Sequence, residues 1–437
     1  MAVVQVSALI LLFLYNFSSV NTSFCFWNSG CSYKYFSNKT PYNSVRGDIR
    51  DSSIKIQGCE PRSIWVLYKH GKRYPDKRCA RNMEDALTIR NYITASYDNG
   101  NCSLCAQDVD NLKNWRVDKN LFKGVQTLTD EGYKDMFATA KRLKIAYSNI
   151  LTNLKHGEYV IGVTGESNIE ESTKAYLDGF GTQKLNIDRS VIDNKVAPYL
   201  SCEKYQTNVQ MNPKTYEEAE KYQKSLEYLA MVDRIQRRTG VAIKLTENNV
   251  TALYDLCRYT WSGVESKPSP WCAIFTSEDL QILEYIEDLK LYYKNGYGTA
   301  INELLGRITL ADLLKSFQQA KLGRGKRITA YFARSTTVDM TLSALGLFKD
   351  KERLSGSKIN RDRKWRSCKQ STFSSNIMAV LSKCGKNGKE DYNVVFYLNE
   401  QPIKSICREG ICPWNEFEDK LKPFVDTDTG FCDLKTV

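Results

Sequence analysis

Histidine is almost absent from this chain, with two residues in 437, His70 and His156. That scarcity argues against a metal centre, because zinc sites draw several His or Cys ligands from short, paired spacings. Cys102-Ser-Leu-Cys105 has such a spacing, but no second pair accompanies it, so no metal is expected. Long apolar runs are missing too, with one exception. Residues Val3 to Tyr15 carry no charge and lead into Asn16-Phe17-Ser18-Ser19-Val20. The run is too short to span a membrane and has the length of a signal-peptide core, although the usual basic residues before it are lacking. Residues 1–22 are therefore expected to be a signal peptide and 23–437 the mature chain. The tail Cys432-Asp-Leu-Lys-Thr-Val437 carries no lumenal retention signal, and no repeat or low-complexity linker interrupts the sequence. These absences lead to the expectation of a soluble, secreted, extracellular protein without a membrane span.

What is present fits that compartment. The 14 Cys residues all lie beyond the expected signal peptide and are read as a disulfide framework. Sequons at Asn21, Asn38, Asn101 and Asn249 allow N-glycosylation. The net charge is +12, with basic clusters at Lys69–Arg81, Lys321–Arg327 and Lys349–Lys369. Such a balance favours polyanions, whether phosphorylated small molecules, sulfated glycans or membrane surfaces. No nucleic-acid-binding motif accompanies it, so nucleic acid is not an expected partner.

Along the chain, Ser63-Ile-Trp-Val-Leu-Tyr68 reads as a buried strand ending in a basic loop. Helical spacing follows over 84–97 and 133–154, a strand over 157–163, and a helix over 169–180. Residues 212–320 are rich in helix formers and aromatics and read as an inserted, largely α-helical cap. Strands at 327–332 and 393–398 and a helix at 338–348 bring back the alternating pattern. Strand, helix and strand in this order predict an α/β fold around a mostly parallel sheet flanked by helices.

The most informative stretch is Lys69-His70-Gly71-Lys72-Arg73-Tyr74-Pro75, at the carboxyl end of the first strand. Ligands of α/β sheets bind at such ends. Three cations around one His within four residues suit an anionic ligand such as phosphate. Their charge disfavours imidazolium and leaves a ring nitrogen free to attack phosphorus. His156, in a connecting turn, reads as a solvated residue.

This stretch resembles the Arg-His-Gly-x-Arg-x-Pro signature of histidine acid phosphatases (histidine phosphatase superfamily, clade 2). The text around it, Gly58 to Pro75, is similar to the multiple inositol polyphosphate phosphatase branch. So are Leu128 to Gly132, Trp271 to Thr276, Asp288 to Gly298, Leu345 to Asp350 and Phe396 to Pro402. The resemblance runs from about residue 40 to 420. It implies a phosphoglycerate-mutase-like α/β domain with an α-helical cap, and a site between them that uses protein side chains and no cofactor.

Position by position, the resemblance makes His70 the phosphorylated nucleophile and Lys69, Arg73, Arg334 and Lys72 the substrate-binding residues. It also exposes departures. Lys69 stands where the family has Arg, keeping the charge but losing the bidentate fork. A third family Arg falls on Asn168. The family's later His falls on Arg334, and its leaving-group acid falls on Ser335 or Thr336, whose hydroxyls are not acids. Asp339, one helical turn further, is the nearest substitute. Losing general-acid assistance typically removes about 10²–10⁴-fold in rate. Two expectations follow: an impaired phosphomonoesterase acting on inositol polyphosphates through phospho-His70, or a secreted pseudoenzyme that binds polyanions or a protein.

Overall fold

The computed structural model describes residues 25–26, 35–181, 185–189, 195–262, 268–386, 389–427 and 429–434. The expected signal peptide and the Asn21 sequon lie outside them. The first strand, β1 (Cys59–Lys69), is buried continuously from Ser63 onward, as its unbroken apolar sequence requires of a strand covered on both faces. Three helices follow, α1 (Lys77–Ala86), α2 (Ile89–Asp98) and α3 (Ala106–Asn114). The single helix expected over 84–97 is thus broken at Leu87 and Thr88. Helix α4 (Asp130–Ala146) starts where the Thr129 hydroxyl accepts from Gly132 N, with Asp130 and Glu131 against the helix dipole. Then come β2 (Tyr159–Val163) and α5 (Ser167–Gly179).

The middle of the chain holds α6 (Leu226–Thr239), α7 (Glu247–Thr260), α8 (Ser277–Asn295) and α9 (Ala300–Lys321). Capping boxes open α7 at Thr246 and α8 at Thr276. Next are β3 (Ile328–Ala333), α10 (Ser335–Ala344), β4 (Asn376–Lys386) and β5 (Lys389–Leu398), with short β6 (Gln401–Pro402) and β7 (Ile411–Pro413).

The sheet runs β2-β3-β1-β4-β5-β6, with β7 also on β5. Strands β2, β3 and β1 are parallel, in register from Ile64 opposite Ile328 to Lys69 opposite Ala333. Strand β4 reverses direction and β5 reverses again, so four of the five longer strands point the same way. The expected mostly parallel α/β sheet is therefore present among its longer strands, with β4 inserted antiparallel and the short β6 and β7 also antiparallel to β5.

Two large hydrophobic clusters divide the molecule. One surrounds the sheet; the other joins α6 to α8 with residues of α1 to α3, such as Met83, Ile93 and Val109. The helical layer is thus built from two stretches of chain, not from 212–320 alone. Helix α9, placed in the cap by sequence, contributes Leu310, Leu313, Leu314 and Phe317 to the sheet cluster instead. Asp312 on α9 accepts from Trp65 Nε1 at 3.2 Å and Tyr331 Oη at 2.9 Å, tying that helix to β1 and β3.

Five disulfides link ten of the cysteines; Cys59–Cys384 pins the amino end of β1 to β4. Cys79, Cys102 and Cys368 are free thiols and Cys31 lies outside the described residues, so the framework is less complete than expected. Cys105 is bonded to Cys25, which removes the Cys102–Cys105 pair as a metal site.

A buried ion pair closes the opposite side of the sheet. Arg142 of α4 donates to both carboxylate oxygens of Glu400, at 2.7 and 2.5 Å, and Tyr42 Oη donates to Glu400 at 2.9 Å. Glu400→Ala would leave Arg142 charged, buried and unpaired. Urea unfolding of that variant is expected to show a loss of about 3–5 kcal/mol.

Candidate functional site

The carboxyl ends of β1 and β3 open into a cavity of about 290 Å³ under α7 and α8. His70 follows directly on β1. Its backbone N–H donates to Ala333 O at 3.2 Å, and its carbonyl accepts from Ser374 N at 3.0 Å, so the position is fixed from both sides. Its Nδ1 lies 2.9 Å from Gly71 O. A carbonyl can only accept, so Nδ1 carries the proton and Nε2 keeps its lone pair. Burial, and then the charges of Lys69 and Arg73, hold the imidazole pKa well below 6.5. A neutral ring with a free Nε2 is the form a nucleophile needs.

The loop carrying His70 presses backbone to backbone against the first turn of α4. A Cβ at Gly132 would fall 2.2 Å from Lys72 O, and one at Gly71 would fall 2.7 Å from Gly132 O. Only glycine permits that approach.

Five cations line the cavity, Lys39, Lys69, Arg73, Lys294 and Arg334, with Glu166 as the one carboxylate among its described lining residues. The Lys69 ammonium donates to Asn38 O at 2.5 Å and Ser371 O at 2.9 Å, and it stands 4.9 Å from the Phe373 ring centroid. With three protons in all, it has one left for a ligand. Burial drives its pKa well down, opposed by the charge of Asp339. Arg73 donates one nitrogen to Tyr74 O at 2.9 Å and reaches the cavity. Arg334 pairs with Glu166 through Nε at 2.5 Å. Ser335 and Thr336 line the cavity at the amino end of α10, which has no side-chain cap; its first amides add to the positive field.

Several expectations need correction. Lys72 does not line this cavity. It is buried, and its ammonium donates to Glu131 at 2.7 Å and Trp261 O at 2.5 Å, joining the loop to α4 and to the helical layer. Successive residues of extended chain point to opposite sides, so Arg73 facing the ligand turns Lys72 away. Asn168 is buried in the first turn of α5 and does not line the cavity; Glu166, two residues earlier, does. Asp339 does not reach it either. Its Oδ2 accepts from Asn295 Nδ2 at 3.0 Å, and burial raises its pKa to about 6. Asn295, not Asp339, meets the cavity. His156 is exposed in its turn. Asn38 borders the cavity, with Nδ2 3.5 Å from Ser335 Oγ, so a glycan on that sequon would crowd the mouth.

Sequence reasoning missed Glu166, Lys39 and Lys294. Lys294 sits inside the Asp288–Gly298 stretch already singled out. Glu166 adjoins Asn168. Nothing in local spacing marked Lys39, which reaches the site from the chain ahead of β1 and stands 3.7 Å from Glu287.

Comparison with known proteins bears on the family and the fold. The model of the Histidine phosphatase superfamily (branch 2) matches residues 62–399. Multiple inositol polyphosphate phosphatase 1 of Drosophila melanogaster is 30% identical, over 97% of this chain and 92% of its own length. The Homo sapiens protein of the same name is 25% identical, over 84% of this chain and 82% of its own. Among solved structures, a phytase from D. castellii superposes with a TM-score of 0.70 at 17% identity, covering 87% of this chain and 83% of its own. The apo multiple inositol polyphosphate phosphatase of Bifidobacterium longum gives 0.65 at 14%, covering 85% and 92%. At such identities the structures speak to the fold.

Two measurements test the site. Ring ¹⁵N NMR should show His70 neutral and protonated on Nδ1 as the pH falls through 6.5; the spectrum holds only one other His, removable as His156→Gln. Titration at or above 6.5 would contradict the burial argument. Unfolding frees the ring to take up a proton, so the stability linked to it is full above about pH 6.5 and declines below it. Gly132→Ala should displace the His70 loop and weaken phosphate binding at least about tenfold while the far-UV circular dichroism is kept; unchanged binding would show that the contact yields.

Proposed function

The chain belongs to branch 2 of the histidine phosphatase superfamily, and on that premise we propose that it binds inositol polyphosphates at His70, accepts a phosphoryl group there, and releases alcohol leaving groups slowly. One observation carries the reading. The cavity sets a free Nε2 among five cations, while the position of the family's acid holds Ser335 and Thr336.

In the proposed reaction Nε2 attacks phosphorus, and the bond from phosphorus to the ester oxygen breaks. Lys69, Arg73 and Arg334 counter the charge on the phosphoryl oxygens. Water then attacks the phosphohistidine and restores the ring. The departing oxygen needs a proton that a Ser or Thr hydroxyl does not supply, so solvent must provide it. A phenolate departs without that help; an inositol alkoxide does not. The named activities of relatives, multiple inositol polyphosphate phosphatase and phytase, support the substrate class. Export belongs to the same reading, supported by the apolar run Val3 to Tyr15 and by five disulfides.

Glu166 favours a second reading, in which turnover is complete because this carboxylate acts as the acid. To do so it must leave its pair with Arg334. The limiting alternative is a pseudoenzyme that binds and never turns over.

The test is phosphate release from inositol hexakisphosphate and from an aryl phosphate, beside His70→Ala and Glu166→Gln. We expect His70-dependent release from the aryl ester, with the inositol ester slower by about 10²–10⁴-fold. Equal, His70-dependent rates would overturn the slow-release reading, and their loss in Glu166→Gln would give the acid role to Glu166. Retained binding of the hexakisphosphate with no His70-dependent release from either ester would leave the pseudoenzyme.

A further inference from the structure

A second cavity lies away from His70. It has a volume of about 970 Å³ and opens where the turn after β5 meets the stretches 345–349 and 363–369. Six cations line it, Lys349, Arg363, Lys364, Arg366, Lys369 and Lys420, and no described lining residue is acidic. Two of the charges are already matched. Arg363 donates to Asp288 at 2.6 Å and Arg366 to Glu284 at 2.8 Å, both carboxylates being buried. Lys349 stands 3.9 Å from Glu303 with 59% of its side chain exposed, a pair too loose to hold it. Among the described residues no ion pair engages Lys364, Lys369 or Lys420, and all three are exposed.

The remaining wall is largely apolar, with Leu345, Leu347, Phe348 and Ile403. Phe348 holds φ at 57°, a left-handed conformation that costs energy for a bulky residue and that shapes this wall.

We propose that this cleft is a second anion site, taking a small ring-based polyanion that bears several phosphate or sulfate groups. Its volume falls within the range of small-molecule sites, roughly 300–1,000 Å³. Free ammonium groups suit several anionic substituents, and the apolar wall suits the C–H face of a cyclitol or pyranose ring. A flat membrane surface cannot follow so concave a wall. The site shares no described lining residue with the His70 cavity, so it stands whether or not His70 turns over.

The test is calorimetry on the full mature chain with inositol hexasulfate, which has no phosphoryl group for His70 to accept. Wild type should show two classes of site. The triple variant Lys364→Glu, Lys369→Glu, Lys420→Glu should lose one of them, weakened at least about tenfold, and Arg73→Ala should lose the other. The neutral triple Lys→Gln variant guards against misfolding and should show the same loss to a smaller degree. A single class abolished by Arg73→Ala, or two classes unaffected by both triple variants, would overturn the proposal. A wild type with the lysine-dependent class but no Arg73-dependent class would count against the reading of His70 and support the cleft. Parallel titrations with inositol hexakisphosphate and a heparin-derived hexasaccharide distinguish the source. Whichever depends on the three lysines is the chemistry the cleft takes, and dependence of neither overturns it.

Discussion

Everything at the candidate site depends on keeping one imidazole neutral in the midst of positive charge. Burial and the neighbouring Lys69 and Arg73 both disfavour the imidazolium, and the Gly71 carbonyl fixes the remaining proton on Nδ1. Reaching that state requires the loop after β1 to lie flat against α4. The approach of Gly71 and Gly132 achieves this at a distance no Cβ would allow. Lys72, turned inward onto Glu131 and the Trp261 carbonyl, then holds the loop against the helical layer. A residue read from sequence as a ligand is better understood as a fastening.

The site is unequal in its two tasks. Five cations and the amino end of α10 attract a phosphoryl group, but the only lining carboxylate among the described residues is already engaged by Arg334. Ground-state binding and transfer to nitrogen draw on charge, which is plentiful. In the proposed reaction, departure of an alcohol draws on a proton, and the one described carboxylate of the cavity is engaged by Arg334. The difference between aryl and alkyl esters is therefore the informative measurement, more than either rate alone.

The stretch from Arg366 to Ser375 lies between the two cavities. Lys369 lines the large cleft. The carbonyl of Ser371 receives the Lys69 ammonium, Phe373 packs near the His70 ring with centroids 6.1 Å apart, and Ser374 N–H meets the His70 carbonyl. From the basic cluster at Lys349–Lys369, five residues reach the large cleft: Arg363 and Arg366, paired to buried carboxylates, and the exposed Lys349, Lys364 and Lys369.

The sequence by itself determined the family and the strand ending at Lys69, and it singled out His70, Ser335 and Thr336, which the fold brings to one cavity. These are local facts, written in contiguous residues whose order survives any folding. It also located β2, β3 and β5 to within a few residues, because short apolar runs between turns leave little choice. Strand β4 and its antiparallel course were not legible, since strand direction depends on which neighbour accepts its hydrogen bonds. Nor was the allegiance of α9, whose apolar residues fit either layer until Asp312 meets Trp65 and Tyr331. The partners of Lys72, the reach of Lys39 and Lys294, the pairing of Glu166 with Arg334 and the burial of Asp339 were decided only by tertiary structure. Each depends on where a side chain points relative to residues tens to hundreds of positions away, and spacing along a chain carries no such information.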